Sequence, residues 1–403
     1  MNRKELIILF LLSSINFTHI LDFMIMMPLG NYLMSYFHIN TQQFSLIVSA
    51  YSYSAFATGI LAAFVVDNFD RKKVLLFGYS GFIIGTLLCG FAPSFKWLVA
   101  ARVMAGLFGG LIGAQVLAIV ADTFIYEKRG RAMGYLMASF SVASVIGVPV
   151  SLYLSNIFSW HAPFIFVGVL GILIIPLVMI FLPSMTKHII QSEARRKISE
   201  TFAVIFSRPE SLVALALSAF LMLGHFIIIP FLNPYMEFNV GFTKDQIPLI
   251  YIVGGIATLI SAPIFGRMAD QYGKLRIFII CGFLALPFIF IITNLPVLQF
   301  YLALIFTGLW FVFANGRGIA SQAMISNAVE SQYRGSFMSF NSSLQQLFIG
   351  TASFFSGLIV TNNAAKRIQN FEWAGYVSIF VLLGCIFLGA LLSKLQKPAI
   401  SNQ

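Results

Sequence analysis

The sequence predicts an all-α membrane protein: twelve transmembrane helices in two pseudo-symmetric six-helix lobes. Three observations predict it. Of 403 residues, 59% are apolar and only 10% are Asp, Glu, Lys or Arg, whereas a water-soluble chain carries about 25% charged residues. So few charges cannot clothe a water-facing surface, which excludes a soluble enzyme, a nucleic-acid-binding domain and a disordered chain. The apolar residues fall in twelve runs, each long enough by the rule of about 20 residues per 30 Å of hydrocarbon. The second half of the chain repeats features of the first.

The runs cover 6–36, 45–66, 74–93, 97–121, 133–155, 163–183, 211–236, 246–265, 276–293, 298–323, 336–360 and 374–393. The opening MNRKELIILFLLSS has the basic and apolar regions of a signal peptide. No small-residue cleavage site follows and the run continues to Met34, so it reads as the first span. Residues 184–210 are charged and poor in apolar runs. They read as a cytoplasmic linker between an N-terminal lobe, 1–183, and a C-terminal lobe, 211–403.

Charge placement gives the orientation. With the N-terminus cytoplasmic, 19 of the 25 Lys and Arg lie in loops on that side, and Lys96, Lys244, Lys366 and Arg367 lie on the other. Arg102 and Arg317 lie inside spans. Cytoplasmic loops carry such an excess, so both termini are expected in the cytoplasm and the chain in the cytoplasmic (inner) membrane. The same placement accounts for the net charge of +11 with the lipid bilayer as surroundings and no nucleic-acid partner. Cys89, Cys281 and Cys385 are far apart, each within an apolar run, and read as buried free thiols, not a disulfide framework.

Sliding the second half back by about 202 to 205 positions aligns four features in order. DFMIMMPL at Asp22–Leu29 meets HFIIIPFL at His225–Leu232, and TQQFSLI at Thr41–Ile47 meets KDQIPLI at Lys244–Ile250. AFVVDNFDRKK at Ala63–Lys73 meets GRMADQYGKLR at Gly266–Arg276, and RGRAM at Arg129–Met133 meets RGSFM at Arg334–Met338. Six spans per half is even, so both copies share one orientation. That is the parallel repeat of two-lobed secondary transporters, whose substrate site lies between the lobes near the bilayer midplane.

The loop after the second span carries a family resemblance. In the major facilitator superfamily it reads GxxxDRxGRR/K; here the first copy has Asp67, Asn68, Asp70, Arg71 and Lys72 after Ala63, and the second has Asp270, Gly273, Lys274 and Arg276 after Gly266. Ala63, Asn68 and Asp70 stand where the family has Gly, Arg and Gly. RVMAGLFGG from Arg102 resembles the family's fourth-helix pattern RxxxGxG, and GVPVS, with Gly147 and Pro149, resembles its fifth-helix antiporter pattern GPxxGG. The chain resembles a twelve-helix drug:proton antiporter of this superfamily over nearly its whole length. The resemblance implies that Asp67, Arg71, Lys72, Arg129, Asp270, Lys274, Arg276 and Arg334 form a conformational latch. In it the acid caps a helix end and the cations engage neighbouring helix C-termini.

Ionisable residues at membrane depth cost about 2.5 kcal/mol or more each on insertion, so those present point to function. They are His19, Asp22, Arg102, His225 and Arg317. Asn16, His19 and Asp22 recur at a spacing of three, on one helix face. Burial disfavours the charged form of a carboxyl, so one that alternates between environments gains and loses a proton. Asp22 is the expected protonation site, with His19 as partner or relay. Asn16, Tyr51, Arg102, His225, Asn233, Arg317, Asn341 and Gln345 are the expected cavity residues, since polar groups in spans face the bundle interior. Of these, Arg102 is also expected to modulate the Asp22 charge.

The function expected is proton-coupled export of small, amphipathic or apolar molecules by alternating access, the chain acting as a monomer with a small-molecule substrate and protons as partners. The alternative is a proton symporter importing a small nutrient on the same fold. No HExxH, CxxC, GxSxG or phosphate loop occurs and the five histidines are scattered. No catalytic residue, metal or cofactor is therefore expected, and the protein is not expected to be an enzyme.

Overall fold

The computed structural model describes residues 3–124, 126–186, 205–330, 333–363 and 366–396. The side chains of Asp67 and Arg129, and residues 187–204 of the linker, lie outside that set. The described residues form two compact units, one of 3–186 with Lys244–Ile252 and one of 205–243 with 253–396. Within the first unit, Asn156 Nδ2 donates to the Lys244 carbonyl (3.3 Å) and to Asp245 Oδ1 (3.1 Å).

The first unit contains α1 (Arg3–Met26), α2 (Gly30–Tyr36), α3 (Thr41–Val65), α4 (Arg71–Gly90), α5 (Phe95–Thr123), α6 (Tyr126–Val142), α7 (Val148–Ile157) and α8 (Ala162–Phe181). The second contains α9 (Pro209–Phe226), α10 (Ile229–Tyr235), α11 (Ile247–Tyr272) from Val253 onward, α12 (Lys274–Thr293), α13 (Phe300–Ser326), α14 (Arg334–Ile359) and α15 (Phe371–Gln396), with a short hairpin, β1 (Thr361–Asn362) and β2 (Ile368–Gln369), before α15. Among the described residues eleven spans are both long and strongly apolar. The twelfth, α14, has 26 residues, enough at 1.5 Å per residue to cross the bilayer, but is rich in Ser, Asn and Gln. Its polar residues turn inward: Asn341, Ser343, Ser353 and Ser356 are buried.

The first span of each unit is broken where the sequence runs straight through. Residues 6–36 are α1 and α2 separated by Met27–Leu29, and the second unit matches this with α9 and α10. Pro28 and Pro230 lack an N–H and their rings crowd the preceding turn, so the α-ladder stops. In the second unit the Ile228 N–H bonds to the His225 carbonyl and the Phe231 N–H to the Ile228 carbonyl, which leaves Gly224 and Ile227 without their normal i+4 donors. Two serines take the freed carbonyls: Ser378 Oγ of α15 donates to Gly224 (2.5 Å) and Ser356 Oγ of α14 to Ile227 (2.6 Å). Inside a bilayer a broken helix persists only with such replacements.

The fifth span carries one wide turn over Ala143–Gly147, closed by the Val148 N–H on the Ala143 carbonyl. Pro149 forces it by removing the next donor. A Cβ on Gly147 would come within 2.8 Å of Leu21, so this glycine lets the widened turn close on α1 beside Asp22. The three cysteines are buried and free.

Candidate functional site

Four spans of the first unit converge on one buried cluster. Arg102 of α5 donates from Nη1 to Asp22 Oδ2 of α1 at 2.7 Å, and Thr86 Oγ1 of α4 donates to Asp22 Oδ1 at 3.0 Å. The Arg102 guanidinium lies over the Tyr51 ring of α3, 4.3 Å from its centre. The Tyr51 hydroxyl is hydrogen-bonded to His19 Nε2 at 2.9 Å, and the His19 ring meets the Phe82 ring edge-on. Asp22, Arg102, Tyr51 and Thr86 are all 0% exposed. Two opposite charges withdrawn from water hold one another only while both are charged.

Glycine makes the cluster possible. A Cβ on Gly109 would sit 3.1 Å from His19 Nε2 and crowd the Tyr51 hydroxyl, and one on Gly106 would strike Ser54 Oγ and the Tyr51 carbonyl. The small residues that follow Arg102 therefore bring α5 against α3 so that the guanidinium reaches Tyr51 and Asp22.

The other predicted residues are placed elsewhere. Asn16 does not join its helix neighbours; its Nδ2 donates to the Leu136 carbonyl of α6 at 3.2 Å. Each step of three turns the side chain by about 60° on a 3.6-residue helix, so Asn16, His19 and Asp22 fan across different partners. In the second unit His225 stacks on Trp310 at 5.1 Å between ring centres, and Asn233, Arg317 and Asn341 are buried. Gln345 is half-buried and donates from Nε2 to Ser218 Oγ of α9 at 2.8 Å.

The loop before α4 holds two acids, Asp67 and Asp70. Asp67 lies in a short tight turn, Val66–Asn68, and the acid that caps the helix is Asp70. Asp70 accepts from the Lys72 N–H (3.0 Å), the Met185 N–H (2.9 Å) and the Ser184 hydroxyl (2.5 Å). Its position, immediately before the first helical residue, is the one a capping side chain needs. Burial alone would raise its pKa; the hydrogen bonds from Ser184, Met185 and Lys72 and the charge of Lys73 outweigh that and hold it below the ordinary value. Arg71 Nε donates to Asp122 Oδ2 at 2.5 Å, and Lys72 Nζ to the Met179 carbonyl near the end of α8 at 2.8 Å. In the second unit Asp270 is exposed and Arg334 opens α14.

A family model described as Major Facilitator Superfamily matches residues 12–226 and again 214–403. The chain belongs to the Major Facilitator Superfamily. Its relatives include an uncharacterised MFS-type transporter, YceJ of Bacillus subtilis, 27% identical over 66% of this chain and 68% of that protein. Multidrug resistance protein 2 of the same organism is 25% identical over 70% of this chain and 71% of its own length. Among solved structures, a bacterial homologue of the human lysosomal transporter Spinster, inward-facing and unoccupied, matches with a TM-score of 0.78 at 15% identity over the full length of both chains. A D-xylose-proton symporter matches with a TM-score of 0.76 at 14% identity over 94% of this chain and 97% of its own. As a superfamily member the chain is a multi-pass membrane transporter of small molecules, not an enzyme.

Among the residues of this transporter that sequence reasoning missed, Thr86, Asp70 and Asp122 matter most. Thr86 and Asp122 carry no spacing signal, since their partners lie 64 and 51 residues away. Asp70 was visible as an acid directly before a helix start.

Proposed function

We propose that this superfamily member is a proton-coupled exporter of small amphipathic or apolar molecules, working as a monomer in the cytoplasmic (inner) membrane with both termini in the cytoplasm. The observation that carries the reading is the ion pair of Asp22 and Arg102, sealed among four spans and joined through Tyr51 to His19. A proton taken by Asp22 cancels its charge and releases Arg102, so proton occupancy and the packing of α1 against α5 are tied together. His19, hydrogen-bonded to Tyr51 beside the pair, is the relay. Alternating access then lets the acid meet a different compartment in each half of the cycle, while the cations in the first turns of α4 and α12 latch one conformation. His225, Asn233, Arg317 and Asn341 contribute to the substrate path in the second unit.

Export is supported by the sequence relationship to Multidrug resistance protein 2 and by the Gly147–Pro149 turn packed on α1. Import by proton symport is the second reading, favoured by the structural likeness to a D-xylose-proton symporter.

Proteoliposomes test both. With an imposed pH gradient, uptake or extrusion of candidate compounds is expected to stop in Asp22→Asn while gradient-independent exchange continues. Movement of substrate against the inward proton flow supports export, and movement with it supports symport. Gradient-driven accumulation that survives Asp22→Asn overturns the coupling role.

A further inference from the structure

The first unit supplies its own anions where the chain enters its third span: Asp70 caps α4, Asp122 pairs with Arg71, and the Met179 carbonyl receives Lys72. The second unit keeps the cations there, and the motif acid Asp270, but lacks counterparts of Asp70 and Asp122. Along the repeat, Lys274 stands for Arg71 and Arg276 for Lys73, but Gly273 stands for Asp70 and Asn327 for Asp122. Among the described residues neither Lys274 nor Arg276 forms an ion pair or has a side-chain partner. Gly273 takes φ +94°, and a Cβ there would meet nothing within 4 Å; the place filled by a carboxylate in the first unit is open in the second.

That place is part of a cavity of about 810 Å³. Lys274, Arg276, Asn327 and Gln396 give it polar walls, and Ile279 and Ile280, one turn further along α12, give it an apolar one. Ile280 is 42% exposed on a membrane-spanning helix, so the apolar wall continues onto the surface that faces acyl chains. Two cations with no protein counter-charge beside open space are complementary to an anion, and the adjoining apolar wall is complementary to one that carries hydrocarbon.

We propose that this cavity holds the phosphate of an anionic glycerophospholipid, its head group between Lys274 and Arg276 and its chains along Ile279 and Ile280. A phosphodiester accepts charge-assisted hydrogen bonds from both cations and replaces the two carboxylates that the repeat has lost. Phosphate alone satisfies the cations and leaves the apolar wall unused.

Native mass spectrometry of the purified full chain tests this, with phosphatidylglycerol, phosphatidylcholine of the same acyl chains, and inorganic phosphate as probes. Phosphatidylglycerol is expected to be retained in preference to phosphatidylcholine and not to be displaced by an equal concentration of inorganic phosphate. Lys274→Gln with Arg276→Gln is expected to weaken retention about thirtyfold, two basic residues at the strength each has near an anionic membrane surface. Asn327→Asp, which restores the first unit's acid and leaves both cations in place, is expected to weaken it as well. Each variant must match the parent in helical circular dichroism and elution volume. Equal retention of the two lipids, displacement by inorganic phosphate, or an unchanged preference in a folded double variant overturns the proposal.

Discussion

At the scale of single residues, the buried pair dominates. Asp22 and Arg102 were legible individually, because a charge inside an apolar run is conspicuous. Their partnership was not, because 80 residues separate them and no spacing encodes a contact between helices. Removing one partner strands the other in the interior, at a cost of about 3–5 kcal/mol. Asp22→Asn is therefore expected to lower the thermal unfolding midpoint sharply, while Asp22→Asn combined with Arg102→Met, which strands no charge, is expected to recover most of the loss. Scanning fluorimetry of the three proteins in one detergent measures both, and equal destabilisation by the single and double changes contradicts the pairing. Thr86→Val removes one hydrogen bond to the same carboxylate and is expected to cost about 1.5–3 kcal/mol, the range for bonds to charged groups.

At the scale of elements, the twelve spans were legible from hydropathy because each needs about 20 apolar residues. The breaks within them were not. Pro28 and Pro230 were visible as matching positions in the repeat, but the serines that repair the second break lie on other spans and resemble any other serine in sequence. Ser356→Ala and Ser378→Ala each leave a buried carbonyl without a donor, at a cost of about 1–3 kcal/mol. Hydrogen exchange is expected to quicken at the break between α9 and α10 and to stay unchanged in α12, which neither serine touches through a side-chain bond. The cap of α4 gives a pH-dependent prediction. Because the folded Asp70 carboxyl is held below its ordinary value of 3.8, its contribution is complete above that value and fades as pH falls through the lower folded one. Asp70→Ala is expected to cost about 1 kcal/mol at neutral pH, and the difference from the parent in unfolding midpoint should vanish on strong acidification.

At the scale of the whole molecule, duplication explains both what the halves share and where they part. Each begins with a broken span and continues through five more, and the repeat in the sequence anticipated that order. What it could not show is which cations the acids of the first lobe pair with. The first half places an acid at Asp22 and the second a histidine at His225, and at the neighbouring loop the first retains Asp70 and Asp122 where the second has Gly273 and Asn327. The distribution of basic loops also makes a global prediction. A fluorescent protein fused after Gln403 is expected to mature and fluoresce, and alkaline phosphatase fused at the same point to be inactive, on the proposed topology with the basic loops and the C-terminus in the cytoplasm. The opposite pair of results would reverse the topology.

The sealed pair between α1 and α5 has an electrical consequence. In the proposed cycle the buried pair is neutral while Asp22 is charged, and protonation of Asp22 would leave Arg102 as one uncompensated positive charge within the spans. Each elementary charge moved across 100 mV is worth about 2.3 kcal/mol, so the buried pair adds a voltage-weighted contribution to displacement of the first unit only when it is protonated. Polarising the membrane would then act on one half of the work cycle and leave the other half indifferent.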